Sequence, residues 1–254
     1  MKRNLSIFAA AAMFLSSCMF RINGTDNSFE PAESAEAAVK AADSAAAKGF
    51  TKVTANGCMD VYYTPGDTFA IALKGDTASI RRTIVQGDGT TLNLYMASNK
   101  GIKGEDKYDI DVYITAPTLA EVNLKGSGDF TAERGISSKT LALNIAGSGD
   151  IKVNGIKTDA LGVSIAGSGD AQTIGVEAKK AEFSIAGSGD VAIDGIKSAN
   201  FTGSIAGSGD ISVTRADIGK ANCAIAGSGD IAISGHVGEC KQSVAGSGTV
   251  KITK

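Results

Sequence analysis

The sequence feature that most constrains the fold is a tetrapeptide, Gly-Ser-Gly-Asp, that recurs about every twenty residues. Its copies begin at Gly126, Gly147, Gly167, Gly187, Gly207 and Gly227, and a degenerate copy, Gly-Ser-Gly-Thr, begins at Gly246. The intervals between successive copies are 21, 20, 20, 20, 20 and 19 residues. A fixed period of this length is typical of solenoid proteins, in which each repeat forms one coil that stacks on its neighbour.

Within each repeat, apolar residues alternate with polar ones, which indicates β-strands with one buried face. Around the fourth turn, for example, Phe183 and Ile185 flank Ser184, and Val191 and Ile193 follow. This period of two excludes helical repeats. We therefore predict an all-β fold, a single-stranded parallel β-helix with about 20 residues per coil. By analogy with other parallel crossover connections, we expect it to be right-handed.

The tetrapeptide itself has the composition of a sharp turn that stacks closely on the turn of the next coil. Glycine reaches positive φ and has no Cβ to clash along the stack. Aspartate can close the corner by accepting a hydrogen bond from an N–H group of its own coil, and the serine hydroxyls are expected to form a ladder. The predicted turn ladder comprises Gly126, Ser127, Gly128, Asp129, Asp150, Asp170, Asp190, Asp210 and Asp230.

The aspartate row also raises two chemical alternatives. Stacked carboxylates are suitable ligands for calcium, so a cation on this row stays open, whereas no other cofactor or metal is expected. Their spacing overlaps that of the carboxylate pairs in glycosidases. Six equivalent environments do not distinguish an acid from a nucleophile, however, so we assign no catalytic residue. The one histidine, His236, leaves no basis for a histidine-cluster metal site.

The chain before the repeats divides into three parts. Lys2 and Arg3 precede an apolar run that ends at Leu15-Ser16-Ser17-Cys18, which resembles a bacterial lipobox. Residues 1–17 are therefore predicted to be a lipoprotein signal peptide, Cys18 the lipidated residue that anchors the chain to a membrane, and residues 18–49 an Ala/Glu/Ser-rich tether. Residues 50–125 are expected to form about seven less regular strands as the first coils and cap of the β-helix. Residues 126–254 form its repeat coils.

Beyond Cys18, two of the three remaining cysteines fall on adjacent predicted coils. Cys223 and Cys240 share the inward parity, but their distances from the turn differ by two residues. That offset brings their Cα atoms near the limit for a disulfide. A disulfide and two free thiols therefore both stay open.

Several segments of the chain carry a family resemblance. They are Phe50-x-x-Val53, Asp60-Val61, the Gly66-Asp67 turn, and Ile114-Thr115-Ala116-Pro117-x-Leu119, which is followed by the Gly-Ser-Gly-Asp repeats. In these features residues 50–254 resemble the auto-transporter adhesin head GIN domain family, which is common among lipoproteins of Gram-negative bacteria. The resemblance implies a β-helical fold and a cell-envelope location. It supplies no catalytic residue.

These observations favour a non-enzymatic envelope lipoprotein that presents a rigid β-helix for binding, as an adhesin. The expected partners are a membrane, through Cys18, and a glycan or protein ligand; the net charge of -2 gives no reason to expect nucleic acid. The expected location is the outer membrane, facing either the cell surface or the periplasm. The alternatives are a structural spacer or assembly component without a ligand and, more remotely, a carbohydrate-active enzyme. Clustered, non-repeating exposed side chains would favour binding, and uniform small polar faces would favour the spacer.

Overall fold

The alternating apolar residues of the repeats form strands that wind around a common core in a computed structural model, which describes residues 49–97 and 110–254. Strand accounts for 74% of the structure and helix for 3%, and the chain forms a β-solenoid of about 7 turns with roughly 20 residues per coil. The predicted all-β solenoid is therefore confirmed. The predicted signal peptide, Cys18 and the tether up to residue 48 lie outside the described residues.

The N-terminal part contains seven strands and one short helix within the described ranges. They are β1 (Lys52–Gly57), β2 (Asp60–Pro65), β3 (Ala70–Gly75), α1 (Thr77–Arg82), β4 (Thr83–Gly87), β5 (Thr91–Met96), β6 (Ile110–Ala116) and β7 (Glu121–Gly126). Only strands were predicted for residues 50–125, so α1 is an addition. Asp76 in fact caps α1, because its side chain accepts a hydrogen bond of 2.9 Å from the N–H of Ser79.

The repeat part follows with strands β8 (Phe130–Ala132), β9 (Ile136–Ser137), β10 (Thr140–Gly147), β11 (Ile151–Gly167), β12 (Ala171–Gly187), β13 (Val191–Gly207), β14 (Ile211–Gly227), β15 (Ile231–Gly246) and β16 (Val250–Thr253). All neighbouring strands from β10 to β16 pair in parallel. Equivalent turn residues lie in register, so that Gly167 pairs with Gly187 and Gly187 with Gly207. The sequence repeat is therefore also the spatial repeat.

The strands of the N-terminal part do not stack in sequence order. Strand β1 lies between β5 and β7 and is parallel to both, and β2 lies between β6 and β8 in the same way. Strands β3 and β4, which α1 connects, run antiparallel to β6 and β5 respectively. The parallel stack therefore ends at antiparallel strands, and residues distant in sequence meet on its surface.

The core is one column of side chains from the inward positions of successive coils. Phe183, Ile185, Val191 and Ile193 are each at most 2% exposed. Large residues lie beside small ones: Phe183 pairs with Gly203 on the next coil, and Phe201 pairs with Ala181. The two phenyl rings are 5.5 Å apart between centroids. Large side chains in one coil therefore face small residues in the next, as close packing of the column requires.

Each repeat coil has a second corner where the strand register is interrupted, near Gly155, Gly175 and Gly195. These glycines have φ of 90°, 68° and 86°, and Arg215 takes the equivalent corner with φ 51°. This corner lies between the strand segment that follows the Gly-Ser-Gly-Asp turn and the next segment of the coil, which we call the third side. The inward residues of the third side include Ile156 and Val176. Among the described residues, no helix has the length and apolar character needed to cross a membrane.

Candidate functional site

The aspartates of the repeated turn form a ladder of hydrogen bonds between coils. Oδ1 of Asp170 accepts from the backbone N–H of Asp190 at 2.8 Å, and Oδ1 of Asp190 accepts from the N–H of Asp210 at 2.8 Å. The same contact, at 2.7–2.9 Å, continues from Asp60 to Thr249. The prediction that each aspartate bonds within its own coil is therefore wrong. Each carboxylate instead joins its coil to the next.

The turn glycines are required by the closeness of neighbouring backbones. Gly147 has φ of 145°, and a Cβ on it would lie 2.0 Å from the carbonyl oxygen of Gly126. A Cβ on Gly149 would lie 2.0 Å from the carbonyl oxygen of Gly128. Either contact is far inside van der Waals distance, so both glycines are needed for the coils to stack.

The serines of the turn behave differently from the expectation. Ser148 is exposed, and its backbone N–H donates to the carbonyl oxygen of Gly126 at 2.8 Å. Among the described turns, however, no hydrogen bond joins one serine hydroxyl to another. The described turns therefore do not form the predicted hydroxyl ladder.

Two further aspartates extend the row beyond the six of the repeat. Asp60 lies in register with Asp129 through the pairing of β2 with β8, and Asp111 lies in register with Asp60. The sequence signal for Asp60 was Gly57, which lies three residues before it. Gly57 pairs in register with Gly126. The segment Gly57-Cys58-Met59-Asp60 is thus a degenerate turn, and nothing local marks Asp111.

A calcium site on this row has no preformed cage in the structure. The Oδ1 atom of each carboxylate from Asp60 to Asp230 is engaged by a backbone N–H of the adjacent coil. Among residues 49–97 and 110–254, no group of three or more His, Cys, Asp or Glu side chains could hold a metal ion. Whether the row binds calcium stays open.

The two tyrosines nearest the row form a stacked pair on the outer surface. Tyr62 and Tyr113 pair in register on β2 and β6, with ring centroids 5.0 Å apart and ring planes 16° from parallel. The side chain of Tyr113 is 40% exposed, the highest value of any aromatic residue in the described chain. Partial burial raises the pKa of Tyr62, and the negative charges of Asp111 and Asp60 raise it further. Tyrosines and acids thus share one patch.

A second surface feature is a row of alternating charge on the third side of the coils, which we call the alternating row. It consists of Lys157, Glu177, Lys197, Asp217 and His236, which pair in register from β11 to β15. Shallow grooves of about 760 and 650 Å³ lie on its two sides. Its one ion pair, Lys157 Nζ to Glu177 Oε2 at 4.0 Å, is highly exposed and contributes little to stability.

The outer face of the strand before each turn carries small polar residues. Asn144 donates to Oδ1 of Asn123 at 2.9 Å, and the row then continues through Ser164, Ser184 and Ser204. At the N-terminal end of this face Lys52 and Glu121 form an ion pair of 2.8 Å. The repeat coils therefore present a nearly uniform surface here, and side chains become more varied toward the N-terminal coils.

The two cysteines of the last coils are free thiols in the structure. Cys240 pairs in register with Ala221, and Cys223 pairs with Gln242, which is the offset of two residues expected from the sequence. Burial, followed by the proximity of Cys240, raises the pKa of Cys223 to about 12. Whether these thiols form a disulfide after export stays open, and the structure contains them unbridged.

Comparison with known proteins gives one family match. The family model described as "Putative auto-transporter adhesin, head GIN domain" matches residues 49–222 and again residues 181–254. No curated protein matches the chain.

Solved structures with the same architecture include three bacterial proteins. A "putative adhesin" from Bacteroides fragilis is 25% identical, with a TM-score of 0.71 over 82% of this chain and 94% of its own. A "putative lipid binding protein" from Parabacteroides distasonis is 23% identical, with a TM-score of 0.70 over 81% of this chain and 93% of its own. A "putative adhesin" from Parabacteroides merdae is 20% identical, with a TM-score of 0.57 over 81% and 92%. The last two likenesses concern the fold alone.

Proposed function

The chain belongs to the "Putative auto-transporter adhesin, head GIN domain" family, and from that premise we propose that it is a non-enzymatic cell-envelope protein whose solenoid binds a ligand as an adhesin. The rigid column of coils is a support for a binding surface, because each coil is held to its neighbours by strand pairing and by the aspartate ladder. The adhesin name of the family and of the B. fragilis relative supports this proposal.

One observation carries the binding role: the stacked pair on the N-terminal coils of Tyr62, which is partly buried, and Tyr113, which is exposed. Aromatic side chains are enriched at binding surfaces because they provide large contact area at low cost in side-chain entropy. The pair belongs to no repeat, and it has no counterpart in the coils after Thr131, where the same row continues as Lys152, Gln172 and Ala192. It is the clustered, non-repeating feature that a dedicated ligand requires.

The membrane attachment in this proposal rests on Cys18. We propose that acyl chains on this residue anchor the protein to the outer membrane, and that residues 18–49 tether the solenoid to this anchor. Cys18→Ala is expected to release the protein into soluble fractions or to leave it unprocessed. Normal acyl labelling and unchanged membrane partitioning of that variant would contradict the anchor.

Orientation is a separate question with its own experiment. The residues that follow Cys18, Met19 to Asn23, contain no acid and one arginine. Protease treatment of intact cells separates the two orientations: digestion without lysis means surface display, and digestion only after lysis means a periplasmic orientation. Adhesion to an external surface requires the first result.

The binding role is tested with the purified full chain on arrays of glycans and extracellular-matrix proteins. Saturable binding to one class, abolished by heat denaturation of the chain, is the expected result. The second candidate is the envelope spacer, which the uniform row from Asn144 to Ser204 favours. A chain that binds nothing on these arrays, and whose loss leaves adhesion of the cells unchanged, would support the spacer instead.

A further inference from the structure

The tyrosine pair is half of a two-by-two patch. Asp60 and Tyr62 project from the outer face of β2, and Asp111 and Tyr113 project from the same face of β6, since residues two apart on a strand share a face. Asp60 pairs in register with Asp111, and Tyr62 pairs with Tyr113. Two carboxylates therefore lie side by side, next to two stacked rings. We call these four residues the tyrosine–aspartate patch.

The carboxylates of the patch carry negative charge that no ion pair within the described chain neutralises. Oδ1 of Asp60 accepts from the N–H of Asp129 at 2.9 Å, and Oδ2 of Asp111 accepts from the hydroxyl of Tyr113 at 3.3 Å. Lys74 lies opposite Asp111 on β3, but within the described chain no ion pair joins it or any other cation to these carboxylates. Like charges on adjacent strands repel each other, so the patch favours a positively charged occupant.

The neighbours of the ring stack leave its outer faces accessible. On β3, Ala72 pairs with Tyr113, and on β8, Thr131 pairs with Tyr62. Both neighbours are small, and neighbouring strands lie about 4.8 Å apart. A planar group above Thr131 would therefore continue the stack at the spacing of the strands, with Asp129 beside it on the same face. Above Ala72 the corresponding neighbour is Lys74.

We propose that the tyrosine–aspartate patch binds a guanidinium group, the arginine side chain of a partner protein. A guanidinium is planar and stacks on aromatic rings, and it pairs with carboxylates through two parallel hydrogen bonds. An ammonium group has the charge but not the plane. A neutral sugar can stack and can donate hydroxyl hydrogen bonds to the carboxylates, but it does not neutralise their paired charge. This inference rests on the proposed binding function and adds the chemistry of its ligand.

The test uses the full chain and three peptides that differ at one residue: arginine, its neutral isostere citrulline, or lysine, each between neutral residues. Binding is followed by NMR of isotope-labelled tyrosine rings. The arginine peptide should shift the signals of Tyr62 and Tyr113 but not of Tyr95, which lies apart on β5. It should bind about threefold more tightly than the lysine peptide, and the citrulline peptide should bind at least tenfold more weakly.

Matched variants separate the two halves of the patch. Tyr113→Ala is expected to weaken the binding of the arginine peptide about threefold to tenfold, and Tyr95→Ala should leave the binding unchanged. Asp111→Asn should weaken the binding of this peptide about threefold, whereas Glu177→Gln, at an exposed position on the alternating row, should not change the binding. Unchanged melting of each variant, measured by circular dichroism, shows that the fold is intact. The patch inference is wrong if the arginine and citrulline peptides bind equally, or if neither shifts the two rings.

The array experiment distinguishes this inference from the proposed function. A glycan whose binding is lost in Tyr113→Ala but kept in Asp111→Asn would make the patch a sugar site, which overturns the arginine inference and leaves the binding function standing. An array ligand that binds Tyr113→Ala and Asp111→Asn as tightly as it binds the native chain would also overturn the arginine inference. The proposed binding function would then still stand. Arginine-peptide binding at the patch, with no ligand on the arrays, would support the inference and contradict the adhesin role.

Discussion

The carboxylate of Asp170 and the backbone N–H of Asp190 lie one coil apart and form a hydrogen bond of 2.8 Å. Because the carboxylate is the acceptor and the next coil the donor, every bond of the ladder points the same way along the axis. The acids that would otherwise repel one another are each stabilised by a backbone dipole. The ladder therefore turns a row of like charges into a connection between coils.

The ladder can be tested at Asp190, whose Oδ1 accepts from the N–H of Asp210 at 2.8 Å. Asp190→Asn keeps an acceptor oxygen and should be nearly neutral. Asp190→Ala leaves the Asp210 N–H unpaired and should lower the free energy of unfolding by about 1 kcal/mol. Asp217→Ala, on the exposed alternating row, is the matched control and should change it by less than about 0.5 kcal/mol. Urea unfolding measures all three, and a loss in Asp190→Asn equal to that in Asp190→Ala would contradict the ladder.

The same geometry predicts a weak response to calcium. Each carboxylate from Asp60 to Asp230 already accepts from a backbone N–H, so the coils need no cation to stack. Millimolar calcium should raise the melting temperature, relative to EDTA, by no more than about 2 °C. A large shift that Asp190→Asn abolishes would instead establish a metal-stabilised solenoid.

The turn glycines give a prediction with an internal control. In Gly189→Ala the new Cβ would lie 2.0 Å from the carbonyl oxygen of Gly169. This overpacking should cost about 2 kcal/mol or more, and the variant should melt several degrees lower. Gly162 lies in a strand with nothing within 4 Å of a Cβ, so Gly162→Ala should be neutral or slightly stabilising. Equal melting temperatures for the two variants would show that the turns do not limit stacking.

The alternation of inward and outward positions is tested at two adjacent residues. Ile185 is 1% exposed in the core column, whereas Ser184 lies on the outer face. Ile185→Asp buries an unpaired charge and should cost several kcal/mol or prevent folding. Ser184→Asp should cost less than about 1 kcal/mol. Calorimetry of both variants checks the assignment, which fails if the two melt alike.

The thiols of Cys58 and Cys223 should react at different rates. Burial raises the pKa of Cys223 to about 12, so it is almost entirely protonated near neutral pH. At pH 8 iodoacetamide should label the partly exposed Cys58 well before Cys223, as followed by mass spectrometry of peptides. A linked peptide pair containing Cys223 and Cys240 would show instead that these two thiols form a disulfide, despite the offset of their register.

The solenoid could be predicted from the sequence because the patterns that specify each coil lie within one repeat and recur in the next. The 20-residue spacing of the turns and the alternation around them specify each coil and its register with the next. The tyrosine–aspartate patch could not be predicted in this way. Tyr62 and Tyr113 meet only because β2 lies beside β6, and that order of strands follows no sequence period. Asp111 was missed for the same reason, whereas Asp60 follows the degenerate turn that begins at Gly57.

The direction of the ladder bonds could not be predicted either. An aspartate after Gly-Ser-Gly is equally consistent with a hydrogen bond inside its own turn and with one to the next coil. The choice depends on the distance between stacked turns, which the glycines set by allowing close approach of the backbones. That distance is a property of the assembled stack and not of any single repeat.

The alternating row bears on how such a chain can change in length during evolution. Removal of one repeat, residues 171–190, would take away Glu177 and bring Lys157 beside Lys197, two like charges. Removal of two, residues 171–210, would bring Lys157 beside Asp217 and keep opposite charges adjacent. The difference is a fraction of a kcal/mol per contact, about the size of a surface ion pair. Unequal recombination between the repeats of this gene should therefore be tolerated more readily in even steps than in odd ones.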